Sequence, residues 1–126
     1  MLVSETLPLR ANLTVLENIA TVPQFSHGMA YAEALDLAWS LLVRMQETEC
    51  AYKRDPSLSP QERFIAKLLR AAVTRPLLLV LDRPALLLPD THYPPFVHAS
   101  LHRLDDLLTE CWIVDYPWNE PLYAPR

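Results

Sequence analysis

Residues 58–84 read LSPQERFIAKLLRAAVTRPLLLVLDRP and place a helix signal directly before a strand signal. Ser59 is a favourable N-cap, Pro60 suits the first helical position, and Glu62 stands three residues after the cap. These residues predict a helix that runs to about Thr74. Pro76 has no backbone N–H to donate, so the helix is expected to end before it.

The strand signal is the continuous apolar run from Leu77 to Leu81, which Asp82 ends. Strands of a parallel sheet are covered on both faces and do not alternate, so this run predicts a buried parallel strand. A Pro-rich loop over 83–95 follows, and a third long helix is predicted from Val97 to about Thr109. A second buried strand is predicted over 111–115, and an irregular Pro-rich tail over 116–126.

The first half of the chain is predicted to be helical. Thr14 and Glu17 fit a capping box for a short helix that ends near Thr21. Residues 23–28 are expected to be a break. Met29 to about Tyr52 contains neither Pro nor Gly and predicts a long helix, with an apolar stripe at three- and four-residue spacing. That stripe comprises Tyr31, Leu35, Ala38, Leu42 and Met45.

Composition excludes several functions. The net charge of -4 argues against nucleic-acid binding, which needs clustered Lys and Arg. No apolar run approaches the roughly 20 residues of a membrane span, so no direct insertion is expected. The chain has a single glycine, Gly28, against 12 prolines, and therefore cannot form a Gly-rich phosphate-binding loop. Two widely separated cysteines favour a cytoplasmic location.

Three segments carry a resemblance to the ATP-binding subunits of ABC transporters, the ABC ATPases. Residues 8–19, PLRANLTVLENI, resemble the segment after the family's Q-loop. Residues 58–76 match the signature helix, which follows LSGGQ in the family, and residues 78–84, LLVLDRP, resemble the Walker B strand. The resemblance covers about Glu5 to about Asp115. It implies the C-terminal portion of an α/β ABC-ATPase fold, helix-rich, with a small parallel sheet.

The resemblance also implies the domain organisation. Residues 1–126 are expected to form a single domain, with a helical subdomain over about 14–75, the α/β core over about 76–115, and the tail after it. The Q-loop position aligns with Glu5, so the Walker A loop that precedes it in the family is expected to be missing. We therefore expect this chain to bind no cofactor.

The family's functional positions are altered here. Ser59 is retained, but the signature glycines correspond to Pro60 and Gln61. In the Walker B region Asp82 is retained, while Arg83 replaces the glutamate that serves as catalytic base, and a guanidinium cannot accept a proton. The D-loop position, residues 85–90, reads ALLLPD, and no switch histidine follows the last strand. We therefore expect a degenerate ATPase without hydrolysis by this chain alone.

The resulting functional hypothesis is a non-catalytic protein that acts by contact, as a regulatory or assembly subunit of a transporter. The expected partner is a transporter membrane subunit or an intact ABC ATPase, which would hold the chain at the inner face of the membrane. By resemblance, residues 9–17 and 31–39 are candidates for the docking surface. Self-association is a further expectation, because a sheet edge left unpaired is prone to pairing.

Two other interpretations stay open. The chain is a split ATPase half whose partner supplies Walker A, or it is a small metal-binding module. For the second, His98 and His102 are four residues apart on the third long predicted helix, with Asp105 and Asp106 after them. Asp82 is a further candidate, as a Mg²⁺ ligand. Each of these has an alternative as an ordinary surface or turn residue.

Overall fold

The computed structural model describes residues 1–89 and 92–123. It contains helices α1 (Val15–His27), α2 (Tyr31–Arg44), α3 (Pro60–Ala72), α4 (Pro84–Leu87) and α5 (Tyr93–His102), and strands β1 (Leu2–Val3), β2 (Leu79–Asp82) and β3 (Cys111–Val114). Asp90, at the end of the predicted D-loop segment, and tail residues 124–126 lie outside the described part. The expected fold class is confirmed: the chain is helix-rich with a small parallel sheet.

The sheet has the order β1-β2-β3, with both pairings parallel. Leu2 lies opposite Val80 in β2, and Val80 lies opposite Trp112 in β3. Both predicted strands are present. The sequence prediction missed β1, which has only two residues and therefore no readable periodicity. It also wrongly described β3 as buried, because β3 lies at an edge of the described sheet and its last three residues are exposed.

Both predicted capping boxes are present. The Thr14 Oγ1 accepts from the Glu17 N–H at 3.2 Å, and the Ser59 Oγ accepts from the Glu62 N–H at 3.1 Å. The prediction for α1 was too short, since the helix continues through Pro23 to His27. Gly28 ends it with φ of 62°, a left-handed conformation that glycine adopts without a Cβ clash.

Helix α2 is shorter than predicted. It ends at Arg44, and Gln46 adopts a positive φ of 58°, which is incompatible with a continuing helix. A 3-10 helix, Thr48–Cys50, replaces the predicted last turns. The predicted stripe is also partly wrong, because Tyr31 is exposed. The buried residues between Tyr31 and Met45 are Ala34, Ala38, Leu41, Leu42 and Met45.

The segment after β2 is more ordered than predicted. Residues 84–87 form α4, and α5 starts at Tyr93 and ends at His102, several residues before the predicted positions. Proline is compatible with a first helical turn, where N–H groups have no intrahelical partner. The tail was predicted to be irregular, but Pro117–Tyr123 form a 3-10 helix.

One hydrophobic core joins the helices to the sheet. Helices α1 and α2 pack on each other and on α3, and α3 also contacts β1. Phe64 is fully buried in α3 and meets the ring of Phe96 from α5, with centroids 5.8 Å apart. Among the described residues, no helix has both the length and the apolar character needed to cross a membrane.

Candidate functional site

The carboxyl end of β2 carries an ion pair between two consecutive residues. The Asp82 Oδ1 accepts from the Arg83 Nε at 3.0 Å, and Oδ2 accepts from the Arg83 Nη2 at 3.2 Å. The Ser4 hydroxyl donates a further hydrogen bond to Asp82 Oδ2 at 3.1 Å. Ser4 follows β1 directly, so the parallel pairing of β1 with β2 brings these groups together. Both carboxylate oxygens of Asp82 are therefore engaged.

Arg83 is held in this arrangement from two sides. Its backbone is left-handed, with φ of 46° and ψ of 69°, and Pro84 begins α4 directly after it. The guanidinium also donates from Nη1 to the Tyr116 hydroxyl at 3.2 Å and lies 5.8 Å from the centre of that ring. Tyr116 comes shortly after β3, so the side chain of Arg83 extends across the carboxyl ends of both strands.

The electrostatics follow from this contact. The hydrogen bond from Arg83 lowers the pKa of Asp82, and the same contact raises the pKa of Arg83. The aspartate stays ionised and the guanidinium stays protonated. A divalent cation would have to displace Arg83 to bind Asp82. The Arg83 guanidinium cannot accept a proton, and both oxygens of the Asp82 carboxylate already accept hydrogen bonds from Arg83 and Ser4.

A buried lysine on α3, which was not predicted from the sequence, contacts the β1 end of this site. The Lys67 Nζ donates to the Ser4 carbonyl at 3.2 Å, and burial lowers the pKa of Lys67. Lys67 stands three residues after Phe64, on the buried face of α3. The sequence could have indicated this, because Lys67 stands at the helical spacing of the buried residues of α3. Lys67 thus links α3 to the β1 end of the site.

The other family positions lie around the start of α3. Ser59 is occupied as a helix cap, since its own N–H also donates to the Glu62 Oε1 at 2.9 Å. Gln61 is exposed in the first turn. Glu5 and Pro60 line a cavity of about 300 Å³ together with Lys67. The structure therefore brings Glu5 and Pro60 together, and Asp82 contacts Ser4, the residue before Glu5.

Asp115 directly follows β3, at the position where the resemblance led us to look for a switch histidine. Its Oδ1 accepts from the Tyr116 N–H at 2.7 Å and from the Asn119 side chain at 2.9 Å. Its Oδ2 accepts from the hydroxyls of Tyr93 at 3.1 Å and Tyr123 at 2.9 Å. Partial burial acts to raise the pKa of Asp115, but these hydrogen bonds outweigh it and the pKa is lowered. Asp115 therefore attaches the tail to the sheet.

The histidine candidates do not join a compact metal cluster with Asp106 within the described ranges. His98 and His102 are exposed on α5, which ends at His102, so Asp105 and Asp106 are not on the helix as predicted. The Asp106 carboxylate pairs with Arg44 at 2.6 Å instead. His98 also lines a groove of about 550 Å³ between α5, β3 and the tail.

A different group of possible ligands was not foreseen. Glu47, Cys50 and Glu62 bring one ligand atom each within 4.8 Å of one another. The Glu62 carboxylate, however, belongs to the capping box of α3 and accepts a hydrogen bond from the Lys53 Nζ at 3.2 Å. Burial raises the pKa of Cys50 to about 11, so the thiol is protonated at neutral pH and is a poor ligand. These contacts are those of a structural junction between Thr48–Cys50 and α3.

An exposed apolar stripe runs along α2. Tyr31, Leu35, Trp39 and Val43 recur every four residues, so they lie on one face of the helix. Three of them are exposed and Leu35 is half-buried. Tyr52 extends the surface, with its ring centre 6.3 Å from that of Trp39. We call Tyr31, Leu35, Trp39, Val43 and Tyr52 the α2 stripe.

Comparisons with known proteins support the resemblance. The chain is 29% identical over 106 residues to the lipoprotein-releasing system ATP-binding protein LolD of Bacteroides thetaiotaomicron. The matched region covers 84% of this chain and 48% of that protein. No family model matches. The chain spans about half the length of the relatives it matches.

The fold is similar to two solved structures of the ATP-binding cassette MJ0796. One is the dimeric post-hydrolysis state bound to ADP and Pi, with a TM-score of 0.72, 22% identity, and coverage of 94% of this chain and 52% of that one. The other is the dimeric bacterial ABC transporter cassette, with a TM-score of 0.72, 19% identity, and coverage of 96% and 54%. In sequence and in fold, therefore, this chain is ABC-ATPase-like.

Proposed function

We propose that this chain is a pseudo-ATPase that works by protein contact, as a regulatory or assembly subunit of a transporter. The observation that carries the proposal is the ion pair of Asp82 with Arg83, two residues that correspond by resemblance to the family's metal-binding aspartate and catalytic glutamate. An ATPase needs a carboxylate or another acceptor near that water. Here the site is occupied by two charges that neutralise each other.

The α2 stripe supports a role in contact. Apolar side chains at regular helical spacing normally face a core, whereas three of the four stripe residues that lie on α2 itself face solvent. The stripe contains Trp39 and Tyr31, residue types that are common at the centre of protein interfaces. Tyr31 and Trp39 are also the first and last residues of a segment for which the family resemblance implies docking to a membrane subunit. The proposed partner is such a subunit or an intact ABC ATPase, at the inner face of the membrane.

The first experiment tests catalysis. The purified chain and its Arg83→Glu variant are assayed for ATP hydrolysis with Mg²⁺. We expect neither protein to hydrolyse ATP. The variant restores a carboxylate at position 83, but neither protein has a Gly-rich loop that could bind the ATP phosphates. Robust turnover by the wild-type chain would overturn the pseudo-ATPase proposal.

The second experiment tests contact. The tagged chain is used to capture proteins from its native cytoplasm and membranes, which are identified by mass spectrometry. We expect a transporter membrane subunit or an intact ABC ATPase, and we expect Trp39→Arg to lose it. The matched control is Leu77→Arg, since Leu77 is exposed just before β2 and outside the α2 stripe. Equal capture by both variants would show that the α2 stripe is not the docking surface.

A further inference from the structure

Strand β3 presents an unguarded edge. Its sequence, CWIV, has no charged residue and no proline, which are the usual devices that prevent edge-to-edge pairing. Trp112 is 54% exposed and Val114 is 48% exposed. Within residues 1–89 and 92–123, β3 pairs with β2 alone.

The backbone hydrogen bonds show which groups point away from β2. The Leu79 N–H donates to the Glu110 carbonyl at 2.9 Å, and the Arg83 N–H donates to the Val114 carbonyl at 2.7 Å. In a parallel ladder the residues that bond one neighbour alternate with those that face the other side. The N–H and C=O groups of Cys111 and Ile113 are therefore directed at the open edge.

One face of the sheet is also open. Val3, Leu79 and Leu81 are buried on the face that packs against the helices. On the opposite face, the register places Leu2, Val80 and Trp112 in a row across the three strands, and Leu2 and Trp112 are exposed. Parallel sheets normally have both faces covered. An open edge and an open apolar face thus meet at Trp112 and Val114.

We propose that a second copy of this chain adds its own β3 to this edge, antiparallel and about a two-fold axis at Ile113. The outward backbone groups of Ile113 then bond those of the partner's Ile113, and Cys111 bonds the partner's Asp115. The result is one continuous sheet of both subunits. This goes beyond the proposed function, and the α2 stripe on the helical side stays available to another partner.

The strand is complementary to itself in this register. Trp112 lies opposite the partner's Val114 twice, at the closely spaced positions of an antiparallel ladder, and aromatic with β-branched pairs stabilise such ladders. The charges are compatible with this register. Glu110 lies opposite the partner's Tyr116 and Asp115 lies opposite the partner's Cys111, so no like charges face each other across the paired strands.

The exposed aromatic surface is of the right order for a dimer. Tyr116 comes two residues after the end of β3 and stacks on Trp118, with centroids 4.4 Å apart. Tyr116 is 38% exposed and Trp118 is 71% exposed. At about 150–250 Å² per aromatic side chain, Trp112, Tyr116 and Trp118 present roughly 250–400 Å². This is a large share of the roughly 800 Å² that each partner contributes to a standard interface.

Sedimentation equilibrium of the whole chain over a concentration series tests the proposal. We expect a monomer–dimer equilibrium for the wild type, and a dissociation constant at least ~10-fold higher for Trp112→Lys, which places two like charges in the pairing region. The matched control is Phe25→Lys, an exposed aromatic on α1, which should stay within about twofold of wild type. A wild type that is still monomeric at ~100 µM would overturn the proposal.

Disulfide trapping tests the register, with Cys111→Ser as the background. An Ile113→Cys variant should cross-link to its own copy under mild oxidation, because paired residues in an antiparallel ladder have Cα atoms about 5.5 Å apart, within disulfide range. A Val114→Cys variant should not, because its two copies lie diagonally at about 7–8 Å. Equal cross-linking of the two variants, or none at Ile113→Cys, would refute this pairing.

Discussion

Replacement of Ser59 by alanine separates a structural role from an inherited one. Ser59 holds the position of the signature serine in the resemblance, yet its Oγ accepts from the Glu62 N–H at 3.1 Å and its N–H donates to Glu62 at 2.9 Å. Loss of such a cap costs about 1 kcal/mol of unfolding free energy. With about 2.1 cal/mol/K of unfolding entropy per residue over 126 residues, the midpoint temperature should fall by about 4 °C.

Urea and thermal unfolding of three variants measure this effect. Ser59→Asp should stay within a few tenths of a kcal/mol of wild type, because aspartate caps as well as serine. Thr14→Ala removes the other capping box and should cost a similar amount to Ser59→Ala, far from the family's signature position. If Ser59→Ala leaves the unfolding free energy unchanged, or if Ser59→Asp destabilises as much as alanine, Ser59 does not act as a cap and the reasoning fails.

Three other predictions address the core, the tail and the thiols. Phe64→Ala should cost about 3–5 kcal/mol in urea unfolding and Phe25→Ala less than about 0.5, because the first ring is fully buried and the second is 84% exposed; similar losses would contradict the assigned core. The pKa of Asp115 is lowered by its hydrogen bonds, so its contribution to stability is present above the unfolded pKa of about 3.9 and is lost as the pH falls through the folded value. The midpoint temperature of Asp115→Asn should therefore fall less between about pH 5 and pH 2 than that of wild type, and parallel curves would count against this role. Burial raises the pKa of Cys50 to about 11, so a thiol reagent at about pH 8 should label the half-buried Cys111 first and Cys50 only on unfolding, as peptide mapping would show.

Local signals in the sequence were sufficient for several elements. The N-cap of α3 was predicted at the correct residue because Ser59, Pro60 and Glu62 act within one helical turn. The apolar run before Asp82 likewise predicted β2. Errors arose where local signals were weak or were overridden. Pro23 was expected to break α1, but the tertiary packing of α1 on α2 and α3 keeps the helix continuous through it.

The sequence by itself determined the ABC-ATPase resemblance, the two capping boxes, and the substitution of Arg83 for the expected glutamate. Residue type alone fixes whether position 83 can accept a proton. The sequence also shows that Asp82 is retained at the Walker B position of the resemblance, but it does not show which residues distant in the chain contact Asp82.

The tertiary structure alone decided which residues distant in the chain contact this site. The pairing of β1 with β2 brings Ser4 to Asp82 across 78 residues, and the burial of Lys67 against Ser4 depends on the position of α3. It also decided that β3 is an exposed edge, whereas its apolar sequence predicted a buried strand. Strand order and side-chain burial depend on contacts between residues far apart in the chain, and a local pattern of apolar residues does not specify which neighbour covers them.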